Sequence, residues 1–403
     1  MISLIEIGNL FTPIPVGFLV NKLGRKPLLL SIGPVYVATW ILVIFVRTVE
    51  MLYLMRIVQG LALGVTFTVL PMYLSEIARA DIRGALSIFF QGMWYLGILY
   101  VYAIGPYVGY VTITITCMVP CIIFMLVFCW LPESPQYLAM RGRDEAARKS
   151  LNWLRGSAER ELVDKELADM KEAASLEKEE EAGWRDVLET REGRKALLIA
   201  NMVAFCEIMS GVTAILSYAS ETFTKTSRGG LGPLTPDGIT IVMGGLTFLV
   251  TLLTAGLVDR MGRRPLLMIS TLGSTVCLFA TAVYYHLDAC SCISLSYFDW
   301  LPYSAIIVYI SLISFGAGCL TPTLQAELFP NSTRGIASGI TSVVITITSF
   351  ICMKLYQVIQ DEIGLYLNYY IFAGFCGLGS LGVYLYVPET KGKTFAEIQK
   401  MLE

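Results

Sequence analysis

The sequence predicts an all-α membrane protein made of two homologous helical bundles with 11 spans. Three observations carry that prediction. Of 403 residues, 55% are hydrophobic and only 15% charged, with a mean hydropathy of +0.64. That is more apolar surface than a water-soluble core hides. Apolar runs of about 20 residues, enough to cross a bilayer, recur along the chain. A set of short motifs also occurs twice, in the same order.

The apolar runs lie at 2–20, 27–46, 51–75, 85–106, 110–131, 196–222, 238–257, 265–286, 302–325, 335–356 and 366–387. One polar stretch interrupts them: residues 141–195 hold 28 of the 62 charged residues. Within it, GRDEAARKSLNWL and ELVDKELADMKEA set opposite charges three or four apart, the spacing of amphipathic helices. The resulting division is 1–139 for an N-terminal bundle of five spans, 140–195 for a cytoplasmic charged helical linker, 196–387 for a C-terminal bundle of six spans, and 388–403 for a cytoplasmic tail. The linker reads as a solvated connection, with partner docking or regulation as the alternative.

Lysine and arginine orient the spans. Loops 21–26, 76–84, 259–264, 327–334 and 388–403 carry 12 of them, and the opposite loops only Arg47, Lys225 and Arg228. The first set is expected to be cytoplasmic, which leaves the Asn331-Ser332-Thr333 sequon unglycosylated.

The repeat pairs LGRKPLL at 23–29 with MGRRPLL at 261–267. It also pairs Glu76…Arg83-Gly84 with Glu327…Arg334-Gly335, and PESPQYL at 132–138 with PETKGKT at 388–394. Parallel repeats about an axis along the membrane normal are a transporter architecture, with the substrate held between them near the midplane. In the second half a whole span, 196–222, precedes the span that enters the basic loop. The first half has no counterpart, so its opening span is expected to be missing.

Several function classes are disfavoured. The net charge of −2 gives no argument for nucleic acid, and the single histidine, His286, argues against a His-based metal or triad site. There is no Walker A motif or nucleophile elbow. Gly377-x-Gly379-x-x-Gly382 imitates a dinucleotide fingerprint inside an apolar span, with no strand before it. Neither enzymatic activity, a cofactor nor a resident metal is expected. The expected partners are a small solute and the lipid bilayer.

Charge inside a span is expensive and marks function by default. Glu207 lies near the middle of 196–222 and reads as a substrate or proton group, or as a structural hydrogen bond. Arg56 lies toward the outer third of its span, while Glu6 and Lys354 sit near outer ends where they can snorkel. The Gln91 amide suits solute hydroxyls or an interhelical hydrogen bond. Gly60 and Gly64 form a helix-packing face. Arg25, Glu76, Arg83, Glu133, Asp259, Arg263, Glu327, Arg334 and Glu389 are expected to form a cytoplasmic gate, its ion pairs latching the two halves together.

GFLVNKLGRKPLL, RIVQGLALGVTFTVLPMYLSEIARADIRG, PESPQYL, GLVDRMGRRPLL, AELFPNSTRG and PETKGKTF together resemble the sugar porters of the major facilitator superfamily. The similarity covers essentially the whole chain, and its tone is that of the facilitated trehalose transporter-like branch. The resemblance implies twelve spans, alternating access, a plasma-membrane location and facilitative transport of a hexose or a disaccharide such as trehalose. The alternatives are a non-transporting sugar receptor, an inactive truncated product, and sugar–proton symport. Gln91 matches the family's fifth-span sugar-binding glutamine. The seventh-span QQ-x-S-G-x-N pattern falls on Glu207, Ile208, Ser210, Gly211 and Thr213, with Tyr218 beyond. The tenth-span tryptophan position falls at Pro322, between Thr321 and Thr323. The expected sugar contacts are Gln91, Glu207, Ser210, Thr213, Tyr218, Thr247 and Thr323.

Overall fold

A computed structural model of the chain describes residues 3–79, 82–156, 160–179, 188–226, 235–290, 296–329, 331–391, 393 and 395–402. Among these residues the regular structure is entirely helical. Ten helical segments are long and apolar enough to cross a membrane, and a bent helix pair makes an eleventh.

That bent pair is α1 (Leu4–Leu10) and α2 (Pro13–Leu23), inclined by 49°. The single run at 2–20 is therefore two helices. Proline at position 13 lacks an N–H and its ring crowds the carbonyl four residues back, so the first helix stops before it. The Thr12 hydroxyl donates to the Gly8 carbonyl at 3.0 Å and satisfies one group freed by the break. The next spans are α3 (Arg25–Phe45), α4 (Val49–Ile77), α5 (Arg83–Ile104) and α6 (Tyr110–Phe128). Val16, Leu29, Val69, Tyr73 and Phe128 form one apolar cluster among them. α1 lies directly on α4: a Cβ at Gly60 would sit 2.0 Å from the Ile5 carbonyl oxygen, and one at Gly8 2.0 Å from that of Ile57. Gly60 thus lies on a close-packing face where backbone meets backbone, and Gly64 one turn on meets the Thr12 and Asn9 side chains, 2.5 and 2.8 Å from where its Cβ would be.

The charged stretch folds as α7 (Pro135–Met140), α8 (Asp144–Arg155) and α9 (Arg160–Glu179). Tyr137, Leu138, Ala147, Leu151, Val163 and Leu167 give these helices a small core of their own. Arg155 ties them to the spans, pairing with Glu166 at 2.6 Å and donating to the Ile77 carbonyl at the end of α4 at 3.0 Å.

The remaining helices are α10 (Arg191–Met209), α11 (Val212–Thr226), α12 (Pro236–Met261), α13 (Arg263–Ala289), α14 (Leu301–Phe315), α15 (Ala317–Leu328), α16 (Asn331–Glu362), α17 (Leu365–Tyr386) and the short α18 (Phe395–Leu402). They share the largest core, built on residues such as Ile215, Leu267, Tyr309, Leu324 and Phe372. Two spans are interrupted: α10 gives way to α11 at Ser210-Gly211, and α14 to α15 at Gly316. Many large apolar side chains, among them Leu126, Leu198 and Leu253, point outward, as a lipid-facing surface requires.

Candidate functional site

The two basic loops build matching clamps. Gly24 and Gly262 end one helix and begin the next with φ of 98° and 93°, a conformation open to glycine and costly for other residues. A glycine has no side chain to cap the following helix. A carboxylate from a distant segment does it instead. Glu133 accepts from the Arg25 and Lys26 backbone N–H groups at 3.2 and 3.1 Å, and Glu389 from those of Arg263 and Arg264 at 3.0 and 3.1 Å. A helix N-terminus is a ready anion site. Close approach also demands the glycine, since a Cβ at Gly24 would lie 2.5 Å from a Glu133 carboxylate oxygen and one at Gly262 2.9 Å from Glu389.

Each clamp adds an ion pair. Arg25 meets Glu76 at 2.7 Å, both side chains buried, and Arg263 meets Glu327 at 3.0 Å, less deeply. The Arg25 guanidinium also lies 4.9 Å from the centre of the Tyr137 ring. Burial works against the Glu389 carboxylate, but the Lys391, Arg263 and Arg264 backbone N–H groups and the Arg263 charge outweigh it. Its pKa is held below the ordinary value.

The described members of the expected gate pair within their own half. Arg25, Glu76 and Glu133 close on one another before residue 140, and Arg263, Glu327 and Glu389 after residue 260. Among the described residues, each of these carboxylates meets an arginine or a helix end of its own half. The side chains of Arg83, Asp259 and Arg334 lie outside the described residues.

Polar contacts between the early and late helices lie elsewhere. Ser349 of α16 donates to Glu6 at 3.0 Å, and Asn9 donates to both Glu6 and Thr346 at 3.2 Å. Glu6 therefore does not snorkel: its carboxylate accepts hydrogen bonds from its own helix and from α16, so it has no need of the surface. Tyr102 of α5 donates to the Leu216 carbonyl, and Ser314 donates to the Tyr95 hydroxyl at 3.1 Å.

Tyr95 is the centre of the candidate site. Gln91 stands one turn earlier on the same face of α5. Across from it lie the two helix breaks. Glu207 and Ser210 occupy the end of α10, Ser314 the end of α14, and Thr321 the second turn of α15. Thr321 donates to Glu207 at 2.6 Å, and the Tyr309 hydroxyl donates to the Ser210 carbonyl at 2.8 Å. Both the Tyr95 hydroxyl and a Glu207 carboxylate oxygen lie within 4 Å of where a Cβ on Gly318 would be, at 3.6 and 3.8 Å. A cavity of about 10 Å³ touches Glu207, lined also by Cys206, Thr271, Ile313, Ala317 and Cys376, room for about one water.

The other expected contacts are not drawn into this cluster by hydrogen bonds. Thr247 and Thr323 donate to carbonyls of their own helices, those of Met243 and Cys319. The Tyr218 hydroxyl turns to Gln357 at 3.4 Å while its ring stacks on Tyr356. The Thr213 hydroxyl is buried and has no partner among the described residues. Tyr95, Tyr309 and Ser314 were absent from the expected set, although Tyr95 falls four residues after Gln91 on the same helical face. Among the described residues, no group of three or more His, Cys, Asp or Glu side chains is placed to hold a metal ion.

The chain matches the family described as "Sugar (and other) transporter" over residues 1–402. It is 28% identical to the facilitated trehalose transporter Tret1 of Drosophila willistoni, covering 99% of this chain and 45% of that protein. The Aedes aegypti Tret1 is 29% identical, covering 96% and 47%, and the Culex quinquefasciatus Tret1 27%, covering 99% and 76%. The chain thus spans about half the length of the first two of these curated relatives. Among solved structures, the inward-open form of the xylose transporter XylE from E. coli aligns with a TM-score of 0.80 at 22% identity, covering 100% of this chain and 88% of that one. The proton:xylose symporter XylE bound to 6-bromo-6-deoxy-D-glucose aligns at 0.77, with the same identity and coverage. The fold is that of the major facilitator superfamily.

Proposed function

The chain belongs to the sugar (and other) transporter family, whose members are transporters and not enzymes, and from that premise we propose that it carries a small sugar across a membrane by facilitated alternating access. A hexose or a disaccharide such as trehalose is the proposed cargo, and the plasma membrane the proposed location, with the basic loops and α7–α9 on the cytoplasmic side. The observation that carries this reading is the cluster around Tyr95. Groups from α5 meet groups at two broken late helices, and every member offers a neutral or acidic hydrogen-bonding atom. Sugar hydroxyls are bound by such groups, with each buried hydrogen bond that is left unmade costing about 1–3 kcal/mol. Interrupted helices supply backbone and side-chain polar atoms where a continuous helix has none to spare.

Purified chain reconstituted in liposomes tests the proposal with labelled trehalose and labelled glucose. Saturable entry that stops at equal concentrations inside and out supports a facilitative carrier. Saturable binding without entry supports a receptor, and neither binding nor entry discards the sugar reading.

One observation favours proton-coupled uptake as a second reading. Glu207 sits in the cluster with no lysine or arginine paired to it among the described residues. Accumulation of the sugar above equilibrium under an imposed pH gradient, abolished in Glu207→Gln, separates coupling from facilitation.

A further inference from the structure

The end of α2 and the helix α7 form an open groove that the transport cluster does not use. Its volume is about 550 Å³, and its lining is Phe18, Asn21, Lys22, Tyr137, Met140 and Arg141. The two helices contribute in the same pattern. On α2, Phe18, Asn21 and Lys22 stand at i, i+3 and i+4, one face of a helix. Tyr137, Met140 and Arg141 repeat that spacing on α7 and the residue that follows it. Each side therefore runs from an aromatic ring to a base.

The charge in the groove is unbalanced. Lys22 and Arg141 are both exposed, and no acidic side chain lines the groove. The Lys22 ammonium has no partner among the described residues. One Arg141 nitrogen donates to the Asn21 and Lys22 carbonyls, which holds the guanidinium in place without neutralising it. The Tyr137 hydroxyl donates to the Lys22 carbonyl at 3.0 Å and fixes α7 against α2. Phe18 is 70% exposed and lies about 6 Å back along α2 from Lys22, toward the interior of an apolar span. Leu19 and Leu23 of the same helix also face outward. Two fixed or available cations thus stand at the polar end of a span, with an exposed ring one turn deeper.

We propose that this groove binds one anionic phospholipid from the surrounding membrane, its phosphate between Lys22 and Arg141 and an acyl chain along Phe18. A base near the membrane surface contributes about 1 kcal/mol toward an anionic headgroup, and the apolar flank separates a lipid from a free anion. Because α7 carries part of the small core of α7–α9, such a lipid fastens that charged layer to the spans.

Native mass spectrometry of the full chain in detergent, titrated with phosphatidylglycerol or phosphatidylcholine, tests this. The expected result is one phosphatidylglycerol retained more tightly than phosphatidylcholine. Lys22→Ala weakens it about fivefold, and Lys22→Glu weakens it further. The Lys22 side chain holds nothing else in place, so both variants keep the wild-type melting temperature. Arg194→Ala, which removes an exposed base at the start of α10, leaves the retention unchanged. Equal retention of the two lipids overturns the proposal. So does a loss in Arg194→Ala as large as in Lys22→Ala, which means diffuse attraction only. Displacement of phosphatidylglycerol by millimolar inorganic phosphate also overturns it, because the site then takes a free anion.

Discussion

At the scale of single residues, the two glutamates that cap distant helices are the most exacting part of the structure. Glu389 is held below its ordinary pKa because three backbone N–H groups and Arg263 outweigh the penalty of burial. A depressed folded-state pKa gives stability that is fully present above the unfolded value, near 4.5, and lost as pH falls through the folded one. Melting in detergent is therefore expected to drop less for Glu389→Gln than for the parent chain as pH is lowered from 6 to below 4.5. At pH 6, where the parent keeps the full contribution of the charged cap, the variant melts lower. Parallel curves for the two proteins across that range would remove the capping role. The clamp also explains why the motif needs its glycine: a side chain at position 262 would occupy the place that the carboxylate takes.

At the scale of elements, the spans were legible because lipid imposes one requirement on each of them, about 20 apolar residues in a row. The breaks within spans were less so. Pro13 announces the bend between α1 and α2, yet the hydropathy of 2–20 is continuous across it. Ser210-Gly211 and Gly316 interrupt two later spans without any fall in apolar character, since glycine and serine leave a window average almost unchanged. Those breaks hold the candidate site, so Glu207 was visible as an isolated charge while Tyr95 and Tyr309, ordinary aromatics in apolar runs, were not. The ion pairs were visible as residue types, but their partners were not, because the sequence does not say whether a repeated acid serves its own half or the other. Packing between elements makes a direct prediction at Gly60. Its Cα lies 2.9 Å from where a Cβ on Gly8 would be, so a large side chain forces α1 off α4. Overpacking of this kind costs about 1–3 kcal/mol. Gly60→Leu is expected to lower the melting temperature and the yield of monodisperse protein. Gly97→Leu, where a Cβ would meet nothing within 4 Å beyond its own helix, is expected to change neither. Equal behaviour of the two variants would mean that the α1–α4 contact carries no weight.

At the scale of the whole molecule, the question is where the early and late helices hold one another. The repeated loops do not supply the described contacts, since both clamps close within their own half. The polar contacts that do cross run through α1 with α16 and through α5 with α11 and α14. Among the described residues they are few, and only the Glu6 carboxylate brings a charge to them. Such an interface is suited to parting and re-forming: each hydrogen bond is worth about 0.5–1.5 kcal/mol net, whereas separating a buried ion pair by loss of a partner costs about 3–5 kcal/mol. On the proposed alternating access, the α1–α16 contact is expected to open at some stage of the cycle. A covalent tie there is expected to arrest transport while leaving sugar binding intact. Asn9 and Thr346 are 3.2 Å apart through their side chains, so Asn9→Cys with Thr346→Cys places two thiols within reach of a short bismethanethiosulfonate. Treated liposomes are expected to lose labelled sugar flux and to recover it with reductant, while either single variant is unaffected. Undiminished flux in the cross-linked double variant, with the link verified by mass spectrometry, would mean that α1 and α16 stay together throughout and that the motion lies at another boundary.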